Sequence, residues 1–150
     1  MKHLDYNEAN VEIVSKLIKE KLSPELLPKK WIQRNARNST FGHCHNSAGC
    51  LYNVFGPDSL KMYRGLDDEG IYHWWVQDIH NKIIDVTSEQ YTSEGRVPPY
   101  DKGEKSAILG FEYRKRVAKL TRMVVAKLVE MGYNIELEPE YEYTLERFFE

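Results

Sequence analysis

The chain contains no apolar run approaching the roughly 18 residues that a membrane-spanning helix needs. Its first residues, Met1-Lys2-His3-Leu4-Asp5-Tyr6, lack the apolar core of a signal peptide. The reading at this level is a cytoplasmic protein with no membrane partner. Only two of the 150 residues are cysteine. Cys44 and Cys50 would lie on different sides of a helix, so no disulfide is expected between them and a reducing compartment fits. A net charge of −2 gives no global pull toward nucleic acid or membrane. No internal repeat, low-complexity tract or second-domain boundary interrupts residues 1–150. What is present is 41% hydrophobic and 29% charged, the composition of one globular domain with a sizeable core.

Helices and strands follow from spacing. Val11, Val14, Leu17 or Ile18, and Leu22 recur at three and four residues, which predicts a helix over Asn7 to Leu22 with Asn7 as its cap. Residues Pro24 to Pro28 read as a turn, with Leu26, Leu27 and Trp31 pinned to the core. Gln33 to Gly42 reads as a loop. Leu60 to Leu66, Ile71 to Asp78 and Lys82 to Thr87 read as strands, and Ser88 to Gln90 as a short helical turn. The acidic turn 67–70 is expected to be solvated. Thr92 to Lys105, with Gly95, Pro98, Pro99 and Gly103, reads as a surface loop. Glu112 to Met131 is the longest predicted helix, with Tyr113, Val117, Leu120, Val124, Leu128 and Met131 on its apolar face. It is expected to cover part of the sheet. Asn134 to Leu137 reads as an edge strand before an acidic tail.

The stretch from Gly42 to Gly56 carries the chemistry. An apolar stripe (Cys44, Ala48, Leu51, Tyr52, Phe55) begins after Gly42 and stops at Gly56-Pro57. Cys44 therefore falls on the first turn of a helix, where unpaired N–H groups and the positive dipole end favour a thiolate. A lone buried Cys is more often packing, so the case depends on partners.

The hairpin after it supplies them. A three-residue loop Ile79-His80-Asn81 would pair Asp78 with Lys82, Trp75 with Asp85, and His73 with Thr87. Asn81 suits the left-handed third position of such a loop. His73 and Asp85 then become diagonal neighbours on one face. Asp85 would orient His73, His73 would take the proton of Cys44, and Trp74 and Trp75 would flank the imidazole.

The order of Cys, strand His and next-strand Asp is similar to transglutaminase-like members of the papain-like group. A nearer resemblance is to small phage and bacterial YunG-like proteins, carried by Gly42-His43-Cys44, Tyr72-His73-Trp74 and Asp85-Val86-Thr87-Ser88-Glu89-Gln90-Tyr91. The resemblance covers roughly residues 28–115. It implies an α+β, papain-like fold with Cys44, His73 and Asp85 in triad roles. Cysteine-dependent hydrolysis or acyl transfer on a protein or peptide substrate, without cofactor, is the activity it implies. Asn38 stands where the papain-type oxyanion amide would, with Asn35 and Gln33 as competitors and a plain turn-forming role as the alternative. Val86 stands where transglutaminase-like proteins often have Pro. The large substrate-binding additions of true transglutaminases are missing.

Other readings use the same residues. His43-Cys44-His45 with His73 and Asp85 holds the right atoms for zinc, but consecutive ligands point apart. The helix 112–131 carries Arg114, Lys115, Arg116, Lys119, Arg122 and Lys127, a row that binds phosphate or is simply solvated. A phage-type inhibitor with an unused papain-like site is the third.

Overall fold

The computed structural model describes residues 2–107 and 111–136, and of 111–113 the backbone only. Helix α1 (Glu8–Lys21) is capped by Asn7, whose side chain accepts the Asn10 N–H at 2.8 Å. A 3-10 turn at Pro24–Leu26 and helix α2 (Lys29–Asn35) lead to helix α3 (Cys44–Phe55). Strands β1 (Leu60–Leu66), β2 (Tyr72–Asp78) and β3 (Ile83–Ile84) follow, then helix α4 (Glu89–Thr92), strand β4 (Glu104–Lys105) and helix α5 (Phe111–Glu130). The sheet is antiparallel in the order β3-β2-β1-β4. The molecule is α+β. Among the described residues no helix is long and apolar enough to cross a membrane.

The hairpin register is the one the loop chemistry predicts. Val76 pairs with Ile84 and Gln77 with Ile83. Asp78 N–H donates to the Lys82 carbonyl at 3.1 Å, and Asn81 takes φ 61°. The β3 ladder is shorter than the predicted strand, because Asp85 and Thr87 turn to side-chain bonds with each other instead.

Helix α3 is the middle layer. From Asn38 to Pro57 the sequence holds no Asp, Glu, Lys or Arg. A helix without a charged face is a buried one, and α3 is buried at all but Tyr52 and Asn53. Trp74 and Val76 of β2 pack on one side of it; Leu120, Val124 and Leu128 of α5 join the same core. Gly56, at φ 90°, ends α3 in a conformation closed to most L-residues, and a Cβ there would meet the His3 ring at 2.6 Å.

Several expectations are corrected. Helix α5 packs chiefly on α3 and α1 rather than on the sheet, because α3 already occupies the sheet's apolar face. Met131 is 47% exposed, one residue past the helix end. Residues 33–35 are the last turn of α2, and the stretch expected as loop contains β4 and a 3-10 turn at Tyr100–Lys102. The predicted strand at 134–137 is a single bridge, Lys2 to Glu136; Leu137, the acidic tail and the Tyr113 side chain lie outside the described residues. The acidic turn is solvated only in part: Asp68 and Glu69 are exposed as expected, but Asp67 is not. Asp67 is buried, and Arg34 and Arg96 bind the turn through Asp67, Asp68 and Glu69.

The α3–α5 contact is close at Gly49, where a Cβ would lie 2.7 Å from Val117 Cγ1 and 2.8 Å from Cγ2. A β-branched side chain in a helix has little freedom to move away. Gly49→Ala gains helix propensity but overpacks this seam, so a net loss of about 1–2 kcal/mol is expected from denaturant melts. In a Val117→Ala background the same change should cost nothing. An equal loss in both backgrounds would refute the steric account.

Candidate active site

Position 44 is set by the loop before it. The buried Asn35 amide donates to the carbonyls of Ser39 at 3.0 Å and Phe41 at 2.9 Å, which folds residues 36–41 back on α2. Gly42 then turns the chain at φ 83°; a Cβ there would lie 2.9 Å from Leu27 Cδ2. Cys44 is the first residue of α3, at the positive end of its dipole. Its sulfur is 4.0 Å from the Tyr72 carbonyl oxygen and also interacts with the neighbouring His73 ring.

His73 is fully buried in β2. Its Nε2 lies 2.6 Å from Asp85 Oδ2. Continuing the hairpin register by one residue sets Asp85 opposite Trp75, diagonal to His73. Asp85 takes three further bonds. Tyr100 OH donates to Oδ2 at 2.6 Å, and the Thr87 N–H and hydroxyl donate to Oδ1 at 3.1 and 3.3 Å. A carboxylate with four donors is held in place and stays an acceptor.

The other ring nitrogen, Nδ1, is 3.0 Å from Gln90 Nε2, which is also 3.1 Å from Thr87 Oγ1. The donor order is fixed by the carboxylate. Thr87 gives its only hydroxyl proton to Asp85, so its oxygen accepts from Gln90. His73 presents N–H to Asp85, so in the neutral ring Nδ1 accepts from Gln90.

Cys44, Gln90 and Asp67 line a cavity of about 320 Å³ with aromatic walls from Trp31, Phe41, Trp74 and Tyr91. Tyr91 sets its ring edge against His73, centroids 4.7 Å apart, and donates its hydroxyl to Asp67 at 2.8 Å. Burial would raise Asp67, but the N–H groups of Ile71 and Glu69 and the Tyr91 hydroxyl hold it below the usual carboxylate range.

The expected residues are distributed as follows. Cys44, His73 and Asp85 come together. Trp74 lines the cavity, whereas Trp75 packs beside His73 on the opposite face of β2, ring centroids 5.8 Å apart. Asn38 is buried with its amide donating to the Gln90 carbonyl at 2.8 Å, so it holds α4 rather than lining the cavity. Gln90, Thr87, Tyr91 and Tyr100 were not given roles by sequence reasoning. Gln90 and Tyr91 stood within the quoted Asp85–Tyr91 segment, a signal that was available. Tyr100 reaches Asp85 only through the tertiary fold. His43 and His45 are pushed down to about 4 by burial, in His45 with help from Arg116. Among the described residues no three His, Cys, Asp or Glu side chains gather as a metal would require.

Burial alone would lower the His73 pKa, but the hydrogen bond to Asp85 and the contact with the Cys44 sulfur overcome it and raise the ring to about 9. The ring that Asp85 backs is thus an imidazolium beside the Cys44 sulfur.

The fold and site thus define an α+β protein with a buried Cys–His–Asp constellation opening on an aromatic cavity. A family model described as YunG protein matches residues 10–129, and the chain belongs to that family. No curated protein and no solved structure matches it.

Asp85→Asn should lower the His73 pKa from about 9, read from its ring resonances in an NMR titration. The sign for stability follows. A raised histidine pKa contributes stability that is fully present below about 6.5, the unfolded value, and is lost as pH rises through 9. The melting-temperature advantage of wild type over Asp85→Asn should therefore shrink between pH 6.5 and 9.

Proposed function

We propose that this protein is a papain-like, cysteine-dependent acyl hydrolase or acyltransferase of the cytoplasm, acting on an amide, isopeptide or thioester of a protein or peptide substrate. The observation that carries the reading is the His73 ring, bonded to Asp85 through Nε2 and interacting electrostatically with Cys44, beside a cavity that the thiol lines.

Each step has a group for it. The Cys44 proton moves to His73 Nδ1, and the sulfur attacks the substrate carbonyl carbon. The carbonyl π pair moves onto oxygen, where the Cys44 N–H at the start of α3 stabilises it. The intermediate collapses to an acyl-thioester as the leaving group departs with the proton from Nδ1. Water or an amine, deprotonated by His73, then releases the acyl group. Asp85 keeps the ring oriented throughout. The aromatic walls suit an apolar side chain or acyl chain next to the scissile carbonyl.

The thiols provide the test. Iodoacetamide at neutral pH should label Cys44 and leave Cys50, which burial pushes up to about 12. Peptide mass spectrometry reads the site. An activity-based thiol probe in lysate should mark wild type but neither Cys44→Ser nor, beyond a few per cent, His73→Ala. Labelling of folded His73→Ala at the wild-type rate would remove the basis for an activated nucleophile.

A further inference from the structure

Three places outside the triad invited a function. The hollow lined by Val125, Val129, Tyr133 and Ile135 together with Arg122, Asn134 and Glu136 has nothing in the structure to show what covers it. The Arg34–Arg96 cluster is satisfied by its own carboxylates. The third is Gln90, buried at 4% exposure in the wall of the catalytic cavity, with its amide nitrogen on the base of the proposed reaction.

We propose that the side-chain amide of Gln90 is the second oxyanion donor of this site, and that proton transfer from Cys44 to His73 is what releases it for that task. The inference rests on the acyl-transfer reading above and deepens it.

Gln90 Nε2 carries two hydrogens. One goes to Thr87 Oγ1 and the other to His73 Nδ1 while the ring is neutral. Once Nδ1 is protonated it can no longer accept, and the second N–H of Gln90 loses its partner. A buried donor without an acceptor costs free energy. Cys44 and Gln90 line the same cavity, so an acceptor formed at the sulfur is close at hand. When the Cys44–carbon bond forms, the carbonyl oxygen takes the π pair and becomes that acceptor. When the carbonyl re-forms and the leaving group takes the proton from Nδ1, the ring can accept from Gln90 again. The donor is thus free while the ring is protonated, an interval that includes the life of the oxyanion. The rest of Gln90 is held still: its carbonyl accepts from Asn38 and its N–H donates to the Thr87 carbonyl at 3.0 Å. The raised His73 pKa agrees, since it favours the protonated ring in which this N–H is free.

Two reactions of the same thiol separate this role from a structural one. Acylation of Cys44 by p-nitrophenyl acetate forms an oxyanion; alkylation by iodoacetamide forms none. Gln90→Ala should slow acylation, followed by the p-nitrophenolate burst, at least about tenfold, the low end of what losing one such donor costs. Alkylation should not fall, because losing a donor to Nδ1 leaves the ring more basic. Gln90→Glu, nearly identical in shape but without the amide hydrogens, should behave in the same way. It guards against misfolding in the alanine variant, with circular dichroism melts run on both. Equal acylation in wild type and Gln90→Glu, or a parallel loss of acylation and alkylation, overturns the assignment. A wild-type protein that is alkylated at Cys44 but never acylated overturns the acyl-transfer reading itself, and this one with it.

Discussion

The 2.6 Å contact between His73 Nε2 and Asp85 Oδ2, both withdrawn from solvent, is the constraint on which the rest of the architecture depends. Two ionisable groups out of water are costly unless every lone pair and proton finds a partner. The surrounding structure meets that demand group by group. Thr87 closes one oxygen of Asp85 with two bonds, and Tyr100 joins His73 on the other. Tyr100 reaches across because the chain passes close over Trp75. A Cβ at Gly103 would lie 2.6 Å from Trp75 Cζ2, and one at Gly65 would lie 2.7 Å from the Pro99 carbonyl. A buried ion pair of this kind adds little net stability compared with apolar packing. Its place at the centre of the fold is therefore better understood through chemistry than through stability.

The thiol is positioned by a different means. Helix α3 is clamped between the sheet and α5, so its first residue has little freedom to shift. The cavity wall facing it is tied down by charge. Arg34 stacks on Phe41 and binds Glu69, while Arg96 binds the 67–70 turn and lies over the Tyr91 ring. These ion pairs are partly exposed, and singly each is weak. Together they join α2, the β1–β2 turn and the segment after α4 around the mouth of the cavity.

The sequence was most informative where geometry is local. Asn81 selects the hairpin loop, the loop selects the register, and the register makes His73 and Asp85 neighbours. Each link is short-range, so period and turn chemistry suffice. Gly56 marks the end of α3 for the same reason. Legibility failed where partners are distant in the chain. Nothing near residue 100 says that its hydroxyl meets Asp85, and nothing near Asp67 says that Tyr91 and Arg96 will cover it. The placing of α5 failed for a further reason. An apolar helical stripe says that a face is buried, not what buries it. The uncharged run from Asn38 to Pro57 held the missing information, since a helix buried on all sides must lie between two layers.

The two cysteines of α3 form an internal comparison that isolates environment from residue type. They share a helix and a core, six residues apart. Cys50 is wholly buried, and burial pushes its thiol to about 12. Cys44 has the helix start, His73 and the cavity. A thiolate needs a compensating positive charge and a route to its electrophile. Only one end of this helix offers both, so the site's chemistry is determined by where α3 begins and by which strand crosses that point.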